Sequence, residues 1–152
     1  MNENRIAIVQ MFLIDTNVIS ELRKKSKMNA GVKAFFKKAE REESKLFLSV
    51  ITIGELRRGV EQIKHRGDVK QALLLDNWLH AVLEEFEQNI LPFDREEALV
   101  WGKLRSPHHE NAIDKQIAAT AIVYNMTVVT RNVDDFASTG VSVVNPFTVK
   151  RT

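Results

Sequence analysis

The chain has 152 residues, of which 44% are hydrophobic and 28% charged, with no cysteine and a formal net charge of +2. That length suits one domain able to bury a core, and the balance excludes a disordered or fibrous chain. The missing cysteines exclude disulfide frameworks, thiolate zinc sites and cysteine nucleophiles together, while the small positive charge permits a polyanionic partner without announcing one.

In chain order, the apolar run Ile6 to Ile14 is interrupted by Gln10 and closed by Asp15. It is too short to cross a bilayer and lacks a small-residue cleavage site, so a cytoplasmic protein without membrane contact is expected. Phe12 to Ile14 reads as the first strand, with residues 1–10 as an N-terminal extension or an outward part of that strand. Val18, Ile19 and Leu22 then suit a short helix, and Leu46 to Val50 a second strand. Ile53, Leu56, Val60 and Ile63 step by three and four, one buried stripe of a helix starting near Thr52. Asp68 caps a longer helix whose apolar face is Ala72, Leu75, Leu79, Val82, Leu83 and Phe86, with Trp78 beside it.

Ile90 to Phe93 reads as a strand, but Pro92 cannot donate to a ladder, which places it at an edge or shortens it. Asp94 opens a helix to about Arg105, and "NAIDKQIAATAIVYN" carries another. Thr127 to Thr130 and Val141 to Val144 are the last strands; Asn145-Pro146 stops the second of them, and residues 148–152 form a C-terminal tail. Strands alternating with helices predict an α/β fold, a three-layer α/β/α sandwich around a parallel sheet of about five strands.

Three acids stand where the surrounding pattern would not choose a surface charge. Asp15 follows "FLI" and precedes a helix, so cap and catalyst are equally good readings, because ligands of open α/β sheets gather at the carboxyl ends of strands. Glu55 lies three residues after Thr52, the spacing of a capping box, and taken alone the structural reading is the stronger. Asp114 shares a helical face with Ile117, Ala118 and Ala121, where a carboxylate is costly unless it caps the helix or finds a cation. Carboxylates brought together repel one another until positive charge is supplied. Mg²⁺ or Mn²⁺ prefers such hard oxygen ligands, and an ion held this way activates water against a phosphate, so the reaction class is phosphodiester hydrolysis.

"FLIDTNVISELRK", "SVITIGELRRGV", "IDKQIAATAIVYN" and "VVTRNVDDF", in this order, resemble the successive motifs of PIN-domain ribonucleases, particularly the VapC and FitB-like toxins of bacterial toxin-antitoxin pairs. The resemblance runs from about Met11 to Phe147, the PIN-like domain. It implies a metal-dependent endoribonuclease with Asp15, Glu55 and Asp114 at the family's acidic metal-site positions, Asp15 and Asp114 the principal ligands. The fourth position falls on Asp135, with Asp134 and Asn132 as alternatives in the same loop. It further implies homodimerisation, an RNA substrate, a cognate antitoxin protein that reaches the acidic pocket with a basic side chain, and DNA contact only through that antitoxin. One departure is "SPHHENAID", where many relatives have a glycine-containing approach to the aspartate.

Thr16, Asn17 and Thr130 are second-tier candidates for orienting water or phosphate, against the ordinary role of such residues at strand ends. Arg23 and Arg57 could border the acids and hold an RNA backbone, whereas most other basic residues read as solvated helix faces. His108 and His109 read as a solvated loop. A haloacid-dehalogenase-like phosphohydrolase would need a second aspartate where Asn17 stands, and the remaining alternative is a non-catalytic interaction domain in which the acids are caps.

Overall fold

The computed structural model describes residues 8–148. Five strands form one parallel sheet: β1 (Met11–Ile14), β2 (Lys45–Ser49), β3 (Ile90–Leu91), β4 (Thr127–Val129) and β5 (Val143–Val144), in the order β3-β2-β1-β4-β5. Six helices connect them: α1 (Thr16–Ile19), α2 (Ala30–Arg41), α3 (Val50–His65), α4 (Val69–Glu85), α5 (Arg95–Leu104) and α6 (Ala112–Tyr124).

The alternation of side chains along each strand builds the three layers. Ile14, Leu48 and Val129 face a core completed by Val18, Ile19 and Val32 from α1 and α2 and by Leu56, Val60, Leu79 and Val82 from α3 and α4. Leu13 and Val128 face the opposite way, onto Ile117, Ala118 and Ala121 of α6 and onto Phe136. Each fully buried aliphatic side chain contributes about 1.5–3 kcal/mol, so a one-residue slip of β1, which would exchange these faces, is strongly opposed.

The expected elements are all present: β1 starts one residue earlier than expected, β2 is shifted by one residue, and β3, β4 and β5 are shorter. β3 ends before Pro92 and lies at the sheet edge, as the missing donor requires. Val50 leaves β2 to become the first residue of α3, so that helix starts two residues before Thr52. Its cap is Ser49, whose hydroxyl accepts the Ile51 N–H at 3.0 Å. Asp68 caps α4 through the Gln71 N–H, as expected. Residues 8–10 precede β1 without joining it, although the Gln10 carbonyl accepts the Lys45 N–H; residues 1–7 and 149–152, and the expectations about them, lie outside the described residues. At the other end, Thr148 accepts from and donates to the Asn29 side chain at the start of α2. Gly31 makes that approach possible, since a Cβ there would stand 2.2 Å from the Pro146 carbonyl oxygen. Among the described residues, no helix is long and apolar enough to cross a membrane.

The strand order reverses at β1. The chain moves outward one way through β2 and β3, then returns to the other side of β1 for β4 and β5. The carboxyl ends of β1 and β4 therefore flank a topological switch point, the position where open α/β sheets bind their ligands.

Candidate active site

Asp15 and Thr130 are the first residues past β1 and β4, one on each side of the switch point. The sheet holds both backbones: the Asp15 N–H donates to the Val129 carbonyl and the Thr130 N–H to the Val144 carbonyl, each at 2.9 Å. The Asp15 carboxylate, only 5% exposed, is divided between two tasks. Oδ1 accepts the Thr16 N–H at 2.8 Å, which is the helix cap expected from sequence, while Oδ2 accepts the Thr130 hydroxyl at 2.8 Å. Thr130 Oγ1 also accepts from the Asn132 N–H at 3.0 Å and the Asn17 amide at 3.3 Å, and Asn17 Oδ1 accepts the Arg131 N–H at 3.1 Å. The hydroxyl's single proton is thereby committed to Asp15. Of the second-tier residues, Asn17 and Thr130 hold Asp15 with their side chains; Thr16 does so with its backbone.

Glu55 projects from the second turn of α3. Because Ser49 is the cap, the Thr52-Glu55 capping box does not form: Thr52 is buried in the helix with its hydroxyl lacking a partner among the described residues. The Glu55 carboxylate is left for the site.

Asp114 enters from α6, which precedes β4 and runs opposite to it, bringing its N-terminus to the carboxyl edge of the sheet. The capping reading is again overturned. Asn111 occupies the cap position with φ 54° and ψ 46°, and Asp114 is the third helical residue. Asparagine is one of the few residues that tolerate this left-handed conformation, so Asn111 does what a glycine would do in the approach to the aspartate. Ile117, Ala118 and Ala121 are buried as the periodicity predicts.

Asp135 lies half-buried in the 3₁₀ turn Val133–Thr139, and Asp134 is exposed beside it. Asn132 contributes its backbone N–H to Thr130, with its side chain exposed.

These acids feel one another. Burial raises the Asp15 pKa; the Thr130 hydroxyl and Thr16 N–H pull it down, and the charges of Glu55 and Asp135 push it up again. Asp114 is pushed up to about 6, first by burial, then by the charges of Asp15 and Asp135, by a hydrogen bond with Asp135 and by the charge of Glu55. The charges of Glu55 and Asp135 thus both reach Asp15 and Asp114, and Asp134 is not among the causes of either shift.

The donor set fits a hard divalent cation: carboxylate oxygens only, whose mutual repulsion a positive charge would relieve. Among the described residues, no three acidic or imidazole side chains close into a ready-made cage. The arrangement is an open one, which would leave one or two carboxylates to hold such a cation directly, with waters completing its shell.

Of the two arginines singled out from sequence, Arg23 lines a recess together with Glu55. Arg57 instead turns away, paired at 2.5 Å with both Asp76 of α4 and Glu61. His108 and His109 sit exposed on the loop before α6. Sequence reasoning missed Lys115. It is 1% exposed, and its ammonium donates to the His108 carbonyl at 2.5 Å, tying that loop to the helix that carries Asp114. A single-stripe reading overlooks it because α6 is buried on most of its circumference.

Residues 12–141 match the PIN domain family. The chain is 37% identical over 143 residues to the toxin FitB of Neisseria gonorrhoeae, covering 90% of this chain and 99% of that protein. The crystal structure of FitAcB from the same organism superposes with a TM-score of 0.77 at 36% identity, covering 90% of this chain and 98% of its counterpart. VapC ribonuclease Y4jK of Sinorhizobium fredii is 32% identical, with 90% and 98% covered. A toxin-antitoxin complex from Klebsiella pneumoniae superposes with a TM-score of 0.59 at 25% identity, with 90% and 98% covered.

Proposed function

Because the chain belongs to the PIN-domain family, we propose that it is a metal-dependent endoribonuclease acting as the toxin of a toxin-antitoxin pair in the cytoplasm. The observation that carries this reading is the meeting of Asp15, Glu55, Asp114 and Asp135, drawn from four separate segments, at the switch point of the sheet. Toxin relatives and a toxin-antitoxin neighbour support a cognate antitoxin as protein partner. A homodimer, and DNA contact made through the antitoxin, complete the proposal.

Asp15 and Asp114 would hold Mg²⁺ or Mn²⁺, with Glu55 and Asp135 reaching it directly or through water. When bound, such a cation lowers the pKa of water and neutralises charge on a phosphate. The chain's own contribution is the orientation of its carboxylates. Thr16 and Thr130 fix both oxygens of Asp15, so the carboxylate needs no reorganisation when substrate arrives. Burial and the neighbouring acids push the Asp114 carboxyl up to about 6 in the metal-free chain, and a cation held there would favour its ionised form. Water attacks phosphorus, the phosphodiester P–O bond to the leaving nucleotide breaks, and no bond to the protein forms.

The dehalogenase-like alternative loses its footing in the geometry as well as in the family match. Asn17 is spent on Thr130 and Arg131 and offers no second carboxylate.

The test is cleavage of a mixed structured-RNA pool by antitoxin-free protein, with Mg²⁺, Mn²⁺, EDTA and Asp15→Asn arms. Cleavage should require metal and fall at least about 100-fold in the variant, equivalent to about 2.7 kcal/mol of transition-state stabilisation. Full activity in EDTA, or in the Asn variant, would sink the mechanism.

A further inference from the structure

Next to the acids, α3 borders a recess of about 270 Å³ closed on its other sides by α1, the 3₁₀ segment after it, and α4. Glu55 and Thr16 form its end nearest the site, so it is continuous with the acidic edge. Its walls are apolar, from Leu56, Val60, Ile63 and Leu75, yet Arg23, Gln62 and Trp78 also line it. Among the described residues, none of those three polar side chains has a protein hydrogen-bond partner. An apolar slot with a few free, convergent polar groups is how small ligands are commonly held.

Gln62 also lines the next cavity along, a wide and open one of about 860 Å³ bordered by Arg58, Lys64, His65 and Arg66 and by Glu61, whose carboxylate is paired with Arg57. No ion pair engages Arg58, Lys64 or Arg66 among the described residues. Neighbouring Arg57, by contrast, is occupied by Asp76 and Glu61. Glu55, Arg58, Gln62 and Arg66 recur at three- and four-residue spacing, so one face of α3 leads from the acids to a cationic end about 16 Å away.

We propose that this trench seats the single-stranded RNA on one side of the scissile phosphate, with a nucleobase in the recess against Trp78 and the following phosphates on Arg58 and Arg66. The proposal rests on the ribonuclease reading and adds a subsite to it. Trp78 offers an aromatic surface and an indole N–H, Gln62 offers an amide for a base edge, and Arg23 reaches the sugar-phosphate. A strand leaving the acidic pocket thereby moves from negative surface onto positive surface, which pulls its backbone along α3.

Gly59 provides a selective probe. It lines the recess, and a Cβ built there meets no atom within 4 Å, so the side chain of Gly59→Leu starts into open space and projects into the slot, with better helix propensity than glycine. Binding of a fluorescent 2′-O-methyl RNA decamer, measured by anisotropy in EDTA, should weaken at least 10-fold in Gly59→Leu while its melting temperature is maintained or rises. Arg58→Ala/Arg66→Ala should reduce the slope of log K against log[salt] by about 1.4, the value for two single-strand phosphate contacts.

Unchanged affinity in Gly59→Leu, or an unchanged salt slope in the double variant, overturns the trench. Loss of antitoxin binding with RNA binding intact also overturns it, because the slot would then be a peptide seat. Wild-type protein that cleaves RNA with Mn²⁺ beside a Gly59→Leu variant that cleaves equally well rejects the trench and leaves the nuclease. Decamer binding that responds as expected, from a wild-type protein that cleaves nothing, rejects the nuclease and leaves the trench.

Discussion

At the residue scale, Asp15 shows why asking whether an acid is a cap or a catalyst can be a false choice. A carboxylate has two oxygens and about four acceptor sites, and here one oxygen caps α1 while the other meets Thr130 across the switch point. Glu55 and Asp114 resolve differently: Ser49 takes the cap position from Thr52, which dissolves the capping box offered to Glu55, and Asn111 takes the one offered to Asp114. Thr130 is the residue on which this arrangement turns. Thr130→Val removes the donor to Asp15 and orphans the Asn132 N–H, so we expect a loss of about 1–3 kcal/mol in stability together with reduced cleavage. Urea unfolding midpoints and initial cleavage rates check both, and Thr130→Ser should restore most of each by returning the hydroxyl.

At the element scale, each helix terminus delivers one side chain because its own start is specified locally. Ser49 starts α3 early enough to carry Glu55 to the sheet edge, and the left-handed Asn111 turns the chain into α6 just before Asp114. The start of α2 is fixed by a tertiary contact, in which Pro146 and Thr148 lie against Gly31 and Asn29. In an exposed helix, Gly→Ala stabilises by up to about 1 kcal/mol. Gly31→Ala is expected to do the opposite, lowering the melting temperature by several degrees, because the added Cβ meets backbone atoms that cannot step aside. A rise in melting temperature would show that the C-terminal segment is not held there.

Across the whole molecule, the acidic edge opposes folding when no cation is present. The Asp114 pKa of about 6 lies above its unfolded value of 3.8. Below pH 4 the group is protonated in both states and costs nothing. Between pH 4 and 6 the unfolded chain ionises first, so stability falls as pH rises through this window and levels off above it. Allowing for its partial exposure, the contribution is about 1 kcal/mol. Melts in EDTA should show this decline in the wild type and a smaller one in Asp114→Asn. Mn²⁺ should stabilise the wild type more at pH 7.5 than at pH 4.5. A decline of equal size in both proteins would remove Asp114 as its source.

The sequence by itself determined the layer architecture and that the proline-bearing strand must lie at an edge or be cut short, and it singled out Asp15, Glu55 and Asp114 as candidates, because apolar periodicity, the missing proline N–H and ordered motifs are local properties of the chain. It could not determine that Thr52 is not a cap, that Arg57 is consumed by α4 or that Lys115 is buried. It also could not show that Gln62 links two cavities. Those depend on which surfaces the packing of helices on the sheet brings together. Capping is a contest between neighbouring candidates, decided by where the preceding strand ends; the fate of a charge is decided by partners distant in sequence. Only the tertiary structure, by closing β4 against β1, brings the Thr130 hydroxyl to Asp15 and sets Asp114 within reach of the charges of Asp15, Glu55 and Asp135.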